Sequence, residues 1–315
     1  MSRLRLANKL EGKVRVLNDR LWERRINGRL EAWLGNFDSA DEELQALFLL
    51  SQFMYFGDRE VRELLRAVYR DLFKYPIVEK VRRDHADTLD CDLLEREFAR
   101  ELSRTRFMGM GNPAESGTHL LYYFRQENHI PKSHFVAETE LFDRRLDSPD
   151  SRLADPDIAR LVFIDDFCGS GSQASIYSQR LLAVLRDVAQ RSRQDLELCY
   201  FVLVGDGDGL DRVARETVFD RVDSVFKLDG SYKCLEPNSR HFAECPQGIG
   251  REASRQMAEK HGAKLFPSHP LGYDNGQLLL GFHHNVPDNS LPIMWYDDKP
   301  GTWSAILPRY PKIYG

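Results

Sequence analysis

The first third of the chain carries its apolar residues at helical spacing. Ser39 and Glu42 form a capping-box pair ahead of Leu44, Leu47, Phe48 and Leu50. Asp58 opens a second segment in which Val61, Leu64, Leu65, Val68 and Leu72 share one helical face, and Pro76 closes it. Leu94, Phe98 and Leu102 repeat at four-residue spacing in a more charged third segment. Such stripes predict the core faces of helices and carry no chemistry, so residues 1–106 read as an N-terminal helical lobe. From Phe107 the pattern changes. Gly109, Gly111 and Pro113 break it before another apolar helix, and residues 161–164 and 198–204 are apolar without alternation, as strands buried on both faces of a parallel sheet should be. Residues 135–141 and 224–228 read as further strands. Tyr177, Leu181, Leu185 and Val188 mark a helix, as do residues 210–222 and 250–261. Strand and helix in alternation, with right-handed crossovers, predict an α/β class: a doubly wound, mainly parallel sheet over residues 107–315.

Composition adds exclusions. At 315 residues, 42% apolar and 30% charged, the chain has the balance of a folded globular protein. No apolar run reaches the ~18 to 20 residues that span a bilayer, and the start MSRLRLANKLEGK lacks a signal-peptide core, so the expectation is a cytoplasmic protein with no membrane partner. Five cysteines show no paired spacing. Net charge is −5, yet nine Lys or Arg stand against four acids between Met1 and Trp33. That arm reads either as helices docking on their own domain or on a second copy in a homo-oligomer, or as a basic arm touching nucleic acid.

The candidate chemistry centres on LVFIDDFCGSGSQ, residues 161–173. An apolar strand delivers Asp165 and Asp166 at its carboxyl end, and a loop of Cys168, Gly169, Ser170, Gly171, Ser172 and Gln173 empties into a helix. Free amides and the positive dipole end of that helix favour an anion where the glycines let a ligand approach the backbone. Two carboxylates some 4 to 6 Å apart repel by roughly 3 to 4 kcal/mol at an effective dielectric near 20, so the acids want a cation or hydroxyl donors between them. A ribose 5-phosphate satisfies both halves. The plainer reading is a buried strand with a tight turn and solvated acids. Cys168 sits where loop amides could lower its pKa. Ser116 and Gly117, after Gly109 and Gly111, suggest a second anion loop or a capped turn. Asp206 and Asp208 in GDGDG read as metal ligands or as a glycine turn, and adjacent His283 and His284 point to opposite faces of an extended segment.

The segment around Asp165 and Asp166 resembles the phosphoribosyl diphosphate signature of type I phosphoribosyltransferases. The resemblance implies a phosphoribosyltransferase-type sheet, Asp165 and Asp166 on the ribose hydroxyls and on Mg2+, residues 169–173 on the 5-phosphate, and the Ser116–Gly117 loop on pyrophosphate. Gly169 and Gln173 depart from it, standing where a Thr is usual. Together with ESGTHLLYYFRQ, LDRVARETVFDRV and the tail GFHHNVPDNSLPIMW, expected as a hood over sugar and base, the chain is similar to the phosphoribosyltransferase-like effectors of bacterial conflict and antiphage systems (PRTase-CE type). That group includes retron-associated members. The resemblance implies a defence enzyme acting on phosphoribosyl diphosphate or a nucleotide. It leaves open a catalytically inactive module that senses such a ligand and regulates a partner. The basic arm would then meet that partner protein or nucleic acid, such as a reverse transcriptase/ncDNA complex.

Overall fold

The computed structural model describes residues 2–22, 26–110, 116–143, 151–297 and 301–309. In chain order its helices are α1 (Arg3–Leu17), α2 (Asn27–Leu34), α3 (Ala40–Ser51), α4 (Asp58–Ala67), α5 (Tyr75–Asp84), α6 (Cys91–Ser103), α7 (Ser116–Glu127), α8 (Ser172–Tyr177), α9 (Ala183–Arg191), α10 (Gly207–Glu216), α11 (Arg251–Leu265) and α12 (Pro292–Trp295). The strands are β1 (Met54–Phe56), β2 (Thr105–Gly109), β3 (Arg160–Cys168), β4 (Glu197–Asp206), β5 (Arg221–Leu228) and β6 (Leu280–Phe282). They form two compact units, Met1–Val61 with Asp229–Gly315, and Arg62–Leu228. The chain therefore divides at 61 and 228, where the sequence pattern suggested a division at 106.

In the first unit, one apolar core joins the two ends of the chain. Leu6, Leu10 and Val14 of α1 are buried in the same cluster as Leu47 and Leu50 of α3 and Leu291, Ile293, Trp303 and Leu307 of the tail. The basic arm is thus seated on its own unit by its apolar stripe. Trp33 Nε1 donates to the carbonyl of Ile293 at 2.7 Å, and Trp303 Nε1 to the same oxygen at 3.2 Å. Gln45 accepts from the amide of Gly250 and the hydroxyl of Ser254 and donates to the carbonyl of Gly248. β1 and β6 pair in parallel, Met54 opposite Leu280. The segment expected as a hood therefore finds its packing partners among α2, α3 and α11 of this unit.

The capping pair is present. Ser39 Oγ accepts from the amide of Glu42 at 3.3 Å, while Glu42 Oε2 accepts from the amide of Asp38 at 3.0 Å. The same carboxylate accepts from His261 at 2.7 Å and Lys260 at 2.6 Å. Burial alone would raise the Glu42 pKa, but the hydrogen bonds from His261, Lys260 and the Asp38 amide outweigh it and hold the group at about 2.

The second unit holds the sheet, β2-β3-β4-β5, all parallel. Phe135 makes a parallel bridge to Phe107 on the edge of β2 that β3 does not occupy. The chain therefore leaves β2 through α7, returns on the outer edge at Phe135, and only then crosses to β3. Successive β2 residues face opposite sides: Phe107 packs edge-on against Phe73 and at a tilt against Phe124 of α7, whereas Met108 joins Phe163, Leu181, Leu185 and Val213 under α8–α10. Helices cover both faces, so the sheet is doubly wound and its direction of winding reverses between β2 and β3. Ligands of such sheets bind beyond the carboxyl ends of the strands at that reversal.

Three local expectations change. Pro76 does not stop its helix: residues 68–74 form a π turn in which the Tyr75 amide bonds back five residues to Arg70, so the chain enters α5 with Pro76 in a first turn that needs no proline N–H. Residues 135–141 give one bridge and a 3₁₀ turn at Glu138–Glu140. The helix over 210–222 ends at Glu216, because Thr217 turns extended and β5 starts at Arg221.

Since the Glu42 pKa is depressed on folding, its contribution is present above the unfolded carboxylate range and is lost as pH falls towards about 2. Urea unfolding at pH 7 and pH 3 should show a smaller acid-induced loss of stability in Glu42→Gln than in the native protein; equal losses would remove Glu42 from the acid response.

Candidate functional site

β3 is longer than its apolar run. The ladder continues through Asp165, Phe167 and Cys168, paired with Val202, Val204 and Gly205 of β4, so both acids lie inside the strand's carboxyl-terminal half. Each is only 7% exposed. Asp165 Oδ1 accepts from the amide of Asp166 at 2.9 Å, and its Oδ2 accepts from the Tyr200 hydroxyl at 3.2 Å. Burial, and then the negative charge of Asp166 beside it, raise the Asp165 pKa well above the usual carboxylate range. The acids are thus neighbours in a dry place.

Beyond Cys168 the chain turns through Gly169 and Ser170 to Gly171, whose φ of 75° is left-handed, and enters a helical run over residues 172–191 with one π turn at Ser178–Leu182. Ser170 and Ser172 hydroxyls lie 3.0 Å apart, and the Ser172 amide donates to Ser170 Oγ at 3.4 Å. Gln173 is exposed at the first turn, and Ser170 and Ser172 are half-buried. These residues form one turn at the end of β3, as the sequence suggested.

Glycine is needed here for close approach. A Cβ on Gly171 would meet Val213 Cγ2 at 2.7 Å and the Gly209 carbonyl at 2.8 Å, and a Cβ on Gly209 would overlap the carbonyl of Gly169. The loop therefore rests backbone to backbone on the first turn of α10. Asp206 caps that helix, its Oδ1 accepting from the amides of Asp208 at 3.1 Å and Gly209 at 3.2 Å. GDGDG is thus a cap followed by a contact glycine, and Asp208 is exposed at the surface of that turn.

Cys168 departs from the expectation of a lowered pKa. Its thiol is buried in the apolar cluster under α8–α10, and burial, with the charge of Asp165, pushes it up to about 12. It is no nucleophile at neutral pH. The second anion loop falls largely on residues 111–115, and the side chain of Ser116 and the surroundings of Gly117 also lie outside what is described.

Sequence reasoning missed Arg212 on α10. Its Nη1 donates to the Ser170 carbonyl and to Ser172 Oγ, both at 3.4 Å, while its Nε donates to Glu216 at 2.9 Å. The signal was available. Arg212 stands one helical turn beyond Gly209, so any contact of that glycine with the loop puts the guanidinium beside the same loop.

The PRTase-CE family model matches residues 30–309. The chain belongs to the PRTase-CE family. It is also similar to two solved structures: AQ2163 protein from Aquifex aeolicus, at 12% identity over 65% of this chain and 84% of that one with a TM-score of 0.29, and orotate phosphoribosyltransferase from Aeropyrum pernix, at 17% identity over 44% and 78% with a TM-score of 0.22. No curated protein matches. As a PRTase-CE chain the protein is phosphoribosyltransferase-like, and no helix among its described residues is long and apolar enough to cross a membrane.

If the Gly169–Gly209 contact sets the loop, Gly209→Ala should overpack it and cost roughly 1 to 3 kcal/mol of stability by urea unfolding. An unchanged midpoint would show that the loop relaxes freely.

Proposed function

We propose that the protein is a phosphoribosyltransferase-like defence effector that binds a phosphoribosyl donor or a nucleotide together with Mg2+. The observation that carries this reading is the pairing, at the end of one strand, of two buried, mutually interacting acids with a glycine-serine turn at a helix start. The family supports the phosphoribosyl half of the reading; the antiphage role follows from the resemblance of the chain's motifs to conflict-system effectors.

In this reading the amides of residues 169–173 hold the 5-phosphate, each charge-assisted hydrogen bond contributing roughly 1.5 to 3 kcal/mol. Asp165 and Asp166 orient the ribose hydroxyls. The donor set also fits a hard divalent cation: two adjacent carboxyls whose mutual repulsion a cation would relieve. Bound there, Mg2+ would neutralise charge on a departing diphosphate. In the transfer, the anomeric C–O bond would break, the electron pair would leave with pyrophosphate, a nitrogen of the acceptor base would form the new C–N bond, and the proton that nitrogen loses would pass to the departing pyrophosphate or to water. The protein's part is electrostatic positioning around an oxocarbenium-like carbon.

A second reading is favoured by the burial of Asp165 and its bond from Tyr200. A buried Asp165 already bonded by Tyr200 suits a module that recognises a ribose phosphate without turning it over and signals to a partner protein or nucleic acid. Incubating the protein with phosphoribosyl diphosphate, Mg2+ and a panel of bases and nucleotides separates the two: released pyrophosphate or base supports the enzyme, and binding without product supports the sensor.

Both readings require the acids. Calorimetry on Asp165→Asn with Asp166→Asn should show Mg2+-dependent ribose phosphate binding weakened on the order of a hundredfold or more, the loss of two charge-assisted bonds. Native affinity in the folded double variant would sink the assignment.

A further inference from the structure

The cation beside the turn has a geometry that suits more than scaffolding. We propose that Arg212 is the counter-charge for a terminal phosphate monoester held on residues 169–172, and that Glu216 positions its guanidinium and competes with the phosphate for it. This rests on reading the turn as a phosphate site.

One guanidinium edge faces the turn, where Nη1 lies 3.4 Å from both the Ser170 carbonyl and Ser172 Oγ. Those bonds are long, so they hold the turn weakly. The turn's conformation is already fixed by other means, the left-handed Gly171 and the glycine contact with α10. Another edge is occupied by Glu216, Nε to Oε2 at 2.9 Å, in a pair whose side chains are 41% and 50% exposed. An exposed pair one helical turn apart is screened by water and contributes little to stability. What it does is orient: the planar fork is kept over the turn by a carboxylate that a stronger anion can displace.

The ligand class follows from charge. A phosphate dianion offers two charges and three terminal oxygens, and an arginine fork takes two of those oxygens at once. A diester has one charge and two free oxygens and displaces Glu216 less readily. The site therefore selects a 5-phosphate at a chain end, as in a ribose 5-phosphate or a nucleoside monophosphate, over a phosphate inside a polynucleotide. Arg212 lies on α10, one turn from Gly209, so the packing that shapes the turn also brings its counter-charge.

The test is calorimetry at constant Mg2+ with ribose 5-phosphate, its methyl phosphodiester and ribose, on the native protein, Arg212→Met, Arg212→Lys and Glu216→Gln. Arg212→Met should weaken ribose 5-phosphate binding by about tenfold or more, the loss of a charge-assisted bond, while leaving ribose affinity unchanged. The loss for the methyl diester should be about threefold or less. Arg212→Lys should fall between, since it restores the charge without the fork. Glu216→Gln should tighten ribose 5-phosphate binding severalfold. Should Arg212→Met not fold by circular dichroism, the opposite shifts of Arg212→Lys and Glu216→Gln decide. Native-like affinity in Arg212→Met, or weaker binding in Glu216→Gln, overturns the role of Arg212 and leaves the turn intact as a phosphate site. A native protein that binds none of the phosphates overturns the reading of the turn itself and the proposal with it.

Discussion

The contact between Gly169 and Gly209 is the constraint from which the candidate site follows. Two stretches of main chain, the turn after β3 and the first turn of α10, touch where a Cβ on Gly209 would stand, and a Cβ on Gly171 would meet the same helix turn. Because they touch, the turn has one course, Gly171 takes its left-handed conformation under Val213, and Arg212 arrives beside Ser170 and Ser172. Asp206 secures the other side by capping α10, so the helix starts where the turn needs it. A site built from packed backbone gives its amides little freedom to reorganise, which is what anion recognition by main chain requires.

The sheet supplies the placement. With helices on both faces and a reversal between β2 and β3, the carboxyl end of β3 is where a ligand can reach strand ends from outside. β3 carries its two acids into the ladder itself, with Tyr200 of the neighbouring strand bonded to one of them. That burial explains both the raised Asp165 pKa and the thiol of Cys168, which shares the dry side of the turn.

Much of this was legible in the residues. The unbroken apolar runs of β3 and β4 announced buried parallel strands, and the capping serine of α3 and the glycine-serine turn were visible by residue type and spacing. Other features depended on contacts far apart in sequence. No local pattern shows that α1 and the tail share one core, or that Trp33 and Trp303 donate to the same carbonyl. Pro76 misled because a π turn ahead of it supplies the slack a proline needs. Arg212 was passed over because its meaning lies in Gly209, and a glycine after an aspartate reads first as a turn.

Hydrogen exchange at the amides of residues 169–173, with and without saturating ribose 5-phosphate and Mg2+, tests the central claim most directly. Amides that bond a phosphate should exchange at least about tenfold more slowly in its presence, the equivalent of one added charge-assisted hydrogen bond. Unchanged rates at those amides, under conditions where the ligand binds, would place the phosphate elsewhere and contradict the site.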